Sequence, residues 1–203
     1  MSESTKIVTG AVIFSYCHVF EPDSFNGSEP AYSVQLIINK SDTKTVEAIK
    51  GAIKAAYEAG KAKLGNTPMN KLRIPLRDGD ADRPDDPLYA GRYFMNAKTK
   101  TQPEIVDKNR QEILDPREFY SGCIGRASIN FFTYNTSGSK GIGVGLNNLQ
   151  KLADGSPLGG RSRASDDFGD DADSVDLGGF GNEITTSAPA SVSAGSEDED
   201  WLS

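Results

Sequence analysis

Histidine chemistry is nearly excluded from this chain, because His18 is the only histidine among 203 residues. A catalytic triad needs a base placed beside a nucleophile, and no nucleophile pattern accompanies His18. A lone histidine in a strand-like segment reads as structural. Cysteine is almost as scarce: Cys17 and Cys123 have no Cys-x-x-Cys partner, and two buried, reduced thiols are expected. No run approaches the roughly 20 apolar residues of a membrane span. Met1 to Thr9 holds one lysine and no apolar stretch, so no secretory leader is expected either. These absences together point to a cytosolic protein without disulfides.

The most informative absence is at the C-terminal end. Ala164 to Ser203 contains no Lys or Arg, yet it holds eleven of the 29 acidic residues. The whole chain is net −7; residues 1–163 alone carry 22 basic and 18 acidic groups, a net of +4. A mildly basic body with an acidic tail suggests a polyanionic partner for the body. The tail ends Glu197-Asp198-Glu199-Asp200-Trp201-Leu202-Ser203, placing the only tryptophan behind the densest charge. Composition predicts disorder from Ser162 onward, so the expected domains are a folded body, residues 1–161, and an acidic tail, 162–203. Solubility alone is one account of such a tail. Its apolar tip favours a docking role.

The body reads as mainly β. Lys6 to Phe20 is rich in β-branched and aromatic residues and predicts one long strand, with Gly10 at a bulge or bend. Ala31 to Asn39 alternates as a half-buried strand. Ser41-Asp42 offers a cap, and Val46, Ile49, Ile53 and Tyr57 follow at helical spacing, predicting a helix over about Thr43 to Lys63. Asn66 to Ala90, with prolines at 68, 75, 84 and 87, reads as irregular. Strands are expected at Gly91–Thr99, Gly122–Asn135 and Gly141–Leu149, with a short hairpin from Glu104–Val106 and Gln111–Leu114. Several strands with one inserted helix and no βαβ alternation favour a five- or six-stranded, OB-like barrel.

Motifs for catalysis or metal binding fail on inspection. Asp78-Gly79-Asp80-Ala81-Asp82 has a calcium-loop beginning, but Arg83 stands where the loop needs glycine and Tyr89 where it needs glutamate. A charged turn is the better reading. Gly141-Ile142-Gly143-Val144-Gly145 lacks the Lys-Ser/Thr of a phosphate loop and opens no helix; its glycines predict curvature or close backbone approach. No cofactor or metal is expected.

The strand faces say more. In Cys123–Asn135 the odd positions Cys123, Ala127, Ile129 and Phe131 form an apolar row. The even positions Arg126, Ser128, Asn130, Phe132 and Tyr134 mix a cation, hydrogen-bonding groups and rings. Arg92, Phe94, Asn96 and Lys98 repeat that mixture, and Lys100 follows. If adjacent, the two strands would form a cationic groove floored by rings. Cations neutralise phosphates and release counterions, while rings stack on unpaired bases of any identity. The candidate site is therefore Arg92, Phe94, Lys98, Lys100, Arg126, Phe132, Tyr134 and Lys140. Packing under a loop or in a dimer interface is the alternative for each ring. Phe14, Tyr16, His18 and Phe20 share one face of the first strand; part of it must be core, and Tyr16 and Phe20 are candidates to extend the stacking surface.

The order of short segments is itself informative. It runs Ser15-Tyr16 with Glu21-Pro22, Tyr32-Ser33-Val34, Asn39-Lys40-Ser41-Asp42, Arg77-Asp78-Gly79-Asp80, Tyr89-Ala90-Gly91 and Asn96-Ala97-Lys98. Tyr120-Ser121-Gly122-Cys123, Gly125 through Phe131, Lys140-Gly141-Ile142 and Gly145 through Asn148 follow. Over residues 6–160, and most specifically over Tyr120 to Asn148, the chain resembles a family of phage-encoded single-stranded-DNA-binding proteins. More distantly it is similar to the replication single-strand-binding proteins of short-tailed phages. The resemblance implies an OB fold, non-enzymatic binding of single-stranded DNA with little sequence preference, and work in replication and recombination in the cytoplasm of an infected bacterium. It also implies a tail tip, here Glu197, Asp198, Glu199, Asp200 and Trp201, that engages a polymerase, helicase or primase and competes with DNA for the groove. Related tails often end on the ring, whereas here Leu202-Ser203 follow Trp201. A homodimer is left open. The rival readings are a metal-dependent nuclease or resolvase using Asp78, Asp80, Asp82, Asp85 and Asp86, and a structural virion protein.

Overall fold

Gly10 divides what the sequence reads as one strand. In the structure, a computed structural model that describes residues 4–24, 27, 29–136 and 138–159, the chain forms β1 (Lys6–Val8) and β2 (Val12–Asp23) on either side of it. The Gly10 N–H donates to Thr45 Oγ1 at 2.8 Å. A Cβ at this position would lie 2.5 Å from Asp42 Oδ2 and 2.6 Å from Thr45 Oγ1, so any larger residue would force the capping side chains of the helix end to shift. That helix, α1 (Thr43–Gly60), is capped by the Asp42 carboxylate, which accepts from the Thr45 N–H at 3.1 Å. It ends at Gly60, one of the two glycines, Gly60 and Gly65, at which the sequence places its stop, and Gly60 packs closely on the Thr133 side chain of the strand beneath.

The remaining elements are β3 (Ala31–Asn39), β4 (Arg77–Asp78), a one-turn helix α2 (Gly79–Asp82), β5 (Arg92–Thr99), β6 (Glu104–Val106), β7 (Ile124–Thr136) and β8 (Ser139–Ala153). The protein is mainly β, as the sequence implies, with the short α2 and a 3-10 turn at Met69–Lys71 in the segment expected to be irregular. Strand pairing runs β7–β2–β3–β5–β8 and closes through β7–β8, a ring of five strands. All ring pairs are antiparallel except β5–β8. β1 is added outside the ring on β7, and β6 runs parallel to β8. The expected second half of the β6 hairpin is reduced to a single Val106–Glu112 bridge.

Inside the ring, alternate residues interlock: Phe14 from β2, Leu36 and Ile38 from β3, Met95 and Ala97 from β5, Ile129 and Phe131 from β7, Val144 and Leu146 from β8. Val46, Ile49, Ile53 and Tyr57 of α1 join the same core. Fully burying each large apolar chain contributes about 1.5–3 kcal/mol, so this face determines the register of every strand. The opposite face is thereby turned outward. Cys17 and Cys123 are free thiols, and burial pushes them up to about 12 and about 11, which keeps them protonated and unreactive. No helix among the described residues is long and apolar enough to cross a membrane.

Candidate nucleic-acid interface

The outward face follows from register. One row crosses the sheet as His18, Ser33, Lys98, Gly145, Asn130 and Lys6, each paired with the next. A second row holds Ser15, Gln35 and Asn96, and a third Ile13, Ile37 and Phe94. The two strands expected to form a groove are not neighbours. β8 lies between β5 and β7 and pairs with both. Opposite Asn130 to Tyr134 it does not separate them with side chains, because its outward positions there are Gly141, Gly143 and Gly145.

Those glycines are the close approach that the sequence predicts, and the structure identifies what approaches. Tyr134 pairs with Gly141, Phe132 with Gly143 and Asn130 with Gly145. A Cβ on Gly143 would meet the Phe132 ring at 2.7 Å, one on Gly141 the Tyr134 hydroxyl at 2.7 Å, and one on Gly145 the Asn130 amide oxygen at 2.6 Å. The β7 side chains thus lie down across bare β8 backbone. Phe132 remains 47% exposed there, a large ring open to solvent.

Phe94 requires a correction. It is 1% exposed, edge-on to Tyr89 at 5.0 Å, with the Arg77 guanidinium 5.0 Å and the Arg83 guanidinium 5.6 Å from its ring centroid. No base can reach it. The segment from Arg77 to Gly91 folds over this part of the outer face, and the arginines it carries occupy the ring. Arg83 also stands 4.7 Å from the Tyr89 ring, and the nearby Tyr16 hydroxyl holds its pKa above the ordinary value. Burial raises Tyr89. Its phenol donates to Gln35 Oε1 at 2.5 Å, and Gln35 Nε2 donates to Asn96 Oδ1 at 3.1 Å.

The other expected cations divide by what already holds them. Lys98 is exposed, and among the described residues no ion pair or hydrogen bond engages its amine. Arg92 Nε donates to Asn39 Oδ1 at 2.9 Å and its NH1 to Leu88 O at 2.6 Å. Lys140 Nζ donates to Leu64 O at 3.2 Å, tying the β7–β8 hairpin to the turn after α1. Lys100 pairs with Glu29 at 2.5 Å, both well exposed. Arg126 Nε donates to Thr9 O at 3.1 Å; six residues along β7 from Phe132, it lies about 20 Å away at ~3.4 Å per residue. Phe132 and Tyr134 are therefore neighbours on one face, with Lys98 on β5 across β8 from Asn130, while Arg126 and Lys100 stand apart from the two rings.

Three arginines are invisible as a group in the sequence. Arg73 bridges in parallel to Gly141, its N–H donating to Lys140 O at 3.1 Å while its carbonyl accepts from Ile142 N–H at 3.0 Å. With Arg77 and Arg83 it brings cations to the outer face from the segment read as irregular. The one signal in the sequence is the concentration of arginine in a proline-rich connection. The tail tip Glu197–Trp201, and the whole of 162–203, lie outside the described residues.

The acidic turn is occupied from within. Lys40 Nζ lies 2.6 Å from both Asp78 Oδ1 and Asp80 Oδ2. Asp80 Oδ1 accepts from the Gly91 N–H at 2.8 Å, and Asp82 from Arg77 Nε at 2.7 Å. The hydrogen bond from Lys40 holds both Asp78 and Asp80 below the usual carboxylate range, and Lys40 itself is raised. Among the described residues no group of three or more His, Cys, Asp or Glu is placed to hold a metal ion.

This geometry has known counterparts. A putative protein p50 from Acyrthosiphon pisum secondary endosymbiont phage 1 is 33% identical over 178 residues, covering 82% of this chain and 93% of that one. The single-stranded DNA-binding protein of bacteriophage Enc34, solved in complex with single-stranded DNA, superposes with a TM-score of 0.62 at 28% identity, over 76% of this chain and 90% of its own. Gp2.5 of bacteriophage T7, a single-stranded DNA-binding protein, shares the fold at a TM-score of 0.51 and 15% identity, over 78% of this chain and 97% of its own. Residues 5–177 match the family described by the Enterobacter phage Enc34 ssDNA-binding protein, and the chain belongs to that phage family of single-stranded-DNA-binding proteins.

Proposed function

We propose that this protein binds single-stranded DNA without enzymatic turnover and with little sequence preference, in the replication and recombination of phage DNA within the cytoplasm of the infected host. The observation that carries the reading is the exposed Phe132 ring lying on bare β8 backbone, with Tyr134 beside it and the unengaged Lys98 on β5, the strand beyond β8. An unpaired base stacks on the ring, and cations meet the phosphates. Arg92 and Lys140 serve this face chiefly by holding it in shape, and Lys100 and Arg126 extend its positive field. The absence of catalysis is supported by Lys40, whose ammonium occupies the Asp78 and Asp80 carboxylates that a nuclease would need for a metal. The acidic tail, through Glu197 to Trp201, recruits replication proteins and competes with DNA for the cationic face.

The test is a titration with oligo-dT at two salt concentrations, on the full chain and on a chain lacking residues 164–203. Affinity should fall steeply with salt and rise on truncation. Equal affinity of both chains at low salt removes the competition. Mg²⁺-dependent cleavage of labelled DNA, lost in Asp80→Ala, overturns the non-enzymatic reading.

A further inference from the structure

Tyr16 is held in a conformation that large side chains avoid. Among the described residues, three non-glycine residues have positive φ: Tyr16 at 47°, Asn66 at 53° and Arg110 at 67°. Asn66 and Arg110 sit in turns; Tyr16 alone lies within a strand. The cause is a β-bulge. Ser15 pairs with Gln35 and His18 with Ser33, so three steps on β2 are matched by two on β3. In an unbroken strand Tyr16 would follow Phe14 into the core. The extra residue re-aims it, and it ends 55% exposed on the outer face. There its hydroxyl neighbours Arg83, whose guanidinium lies over Tyr89 and Phe94. A glycine would adopt this φ without strain, and outliers of this kind persist where the surrounding structure, and often function, holds them.

Resting on the single-strand reading above, we infer that Tyr16 is a second base-stacking site, with Arg83 as the residue that positions its ring and meets the adjacent phosphate. The ligand is an unpaired nucleobase and its phosphate. An exposed ring near a guanidinium suits that pair, and a paired base within a duplex cannot stack on it. The site defines a path. From β2 the single strand crosses β3, passes Lys98 on β5 and the glycines of β8, and reaches Phe132 on β7. Around the curved outer surface that path covers four of the ring's five strand steps, about 19 Å at ~4.8 Å per step.

The experiment measures binding of a long oligo-dT at two salt concentrations by wild type, Tyr16→Gly, Tyr16→Phe and Phe132→Ala, with thermal melts of each. Tyr16→Gly should weaken binding about 10-fold, the loss of one stacked base. Its salt slope should match wild type, since no charge is removed, and its melting temperature should be unchanged or higher, since strain is relieved. Tyr16→Phe should keep most of the affinity. Photocrosslinking to oligo-dT carrying 5-iodouracil should label the peptide bearing Tyr16. Wild-type affinity in Tyr16→Gly while Phe132→Ala is weakened, or crosslinks confined to β7, overturns the second site and leaves the first standing. Failure of wild type itself to bind brings down the single-strand reading and this inference with it.

Discussion

Two regions of the outer face carry aromatic rings beside cations, and they treat them in opposite ways. On β7–β8 Phe132 lies open and Tyr134 half-buried, because β8 presents glycine opposite each of them. On β3–β5 the equivalent ring, Phe94, is sealed beneath Arg77 and Arg83 from a connecting segment. The local patterns are nearly the same: a cation and a ring alternating outward. What differs is the connection that leads into β5, which folds back over Phe94 and has no counterpart over Phe132 among the described residues. An outward-facing ring is thus a binding surface only when no other segment claims it first.

The largest expected effect breaks the comparison at its buried half. Phe94→Ala should destabilise the fold by about 3–5 kcal/mol, the range for truncating a buried phenylalanine, as read by chemical denaturation. A stable Phe94→Ala protein with weakened DNA binding would show that the arginine cover opens. Phe132→Ala should do the reverse, leaving stability within about 1 kcal/mol and costing about 1–3 kcal/mol of oligo-dT affinity. The two variants together separate a structural ring from a binding ring.

Charge sharpens the same contrast more gently. Lys98→Ala should lower the slope of log affinity against log salt by about 0.7, the single-strand value for one phosphate contact. Lys140→Ala should leave that slope unaltered, because its amine is already committed to Leu64 O. Equal slopes for the two variants would mean that the hydrogen bond to Leu64 does not set Lys140 apart.

The smallest effect concerns the clamp that helps hold the covering segment. Asp78 and Asp80 are held below their ordinary value of 3.8, chiefly by hydrogen bonds from Lys40. A depressed carboxylate stabilises fully above its ordinary value and loses that contribution as pH falls through the lowered one. Lys40→Met should therefore flatten the acid side of a melting-temperature profile and leave most of the neutral-pH binding intact. An unchanged acid limb would show that the clamp is too well solvated to matter.

Much of the fold and part of the site are legible in the amino-acid sequence. Alternation locates β3, β5, β7 and β8 to within a few residues. The Asp42 cap and the spacing of Val46, Ile49, Ile53 and Tyr57 locate α1, and the three glycines of β8 signal close approach. The break at Gly10 is marked as a bend, but its cause is not legible, since Asp42 and Thr45 reach Gly10 only when α1 docks. The Tyr16 bulge leaves no local trace either. It arises from a register mismatch between β2 and β3, which is a property of the pair.

By itself the sequence determined a basic body with an acidic tail, a mainly β fold with one substantial helix, and Phe132 and Tyr134 as outward rings. Period-two patterning and charge are local, and they survive any arrangement of the strands. Only the tertiary structure decided that β8 stands between β5 and β7, that Phe94 is covered, and that Arg73, Arg77 and Arg83 join the outer face. Each depends on how segments fold back and meet once the strands are assembled. Ring closure and core packing settle those meetings, and no local pattern encodes them.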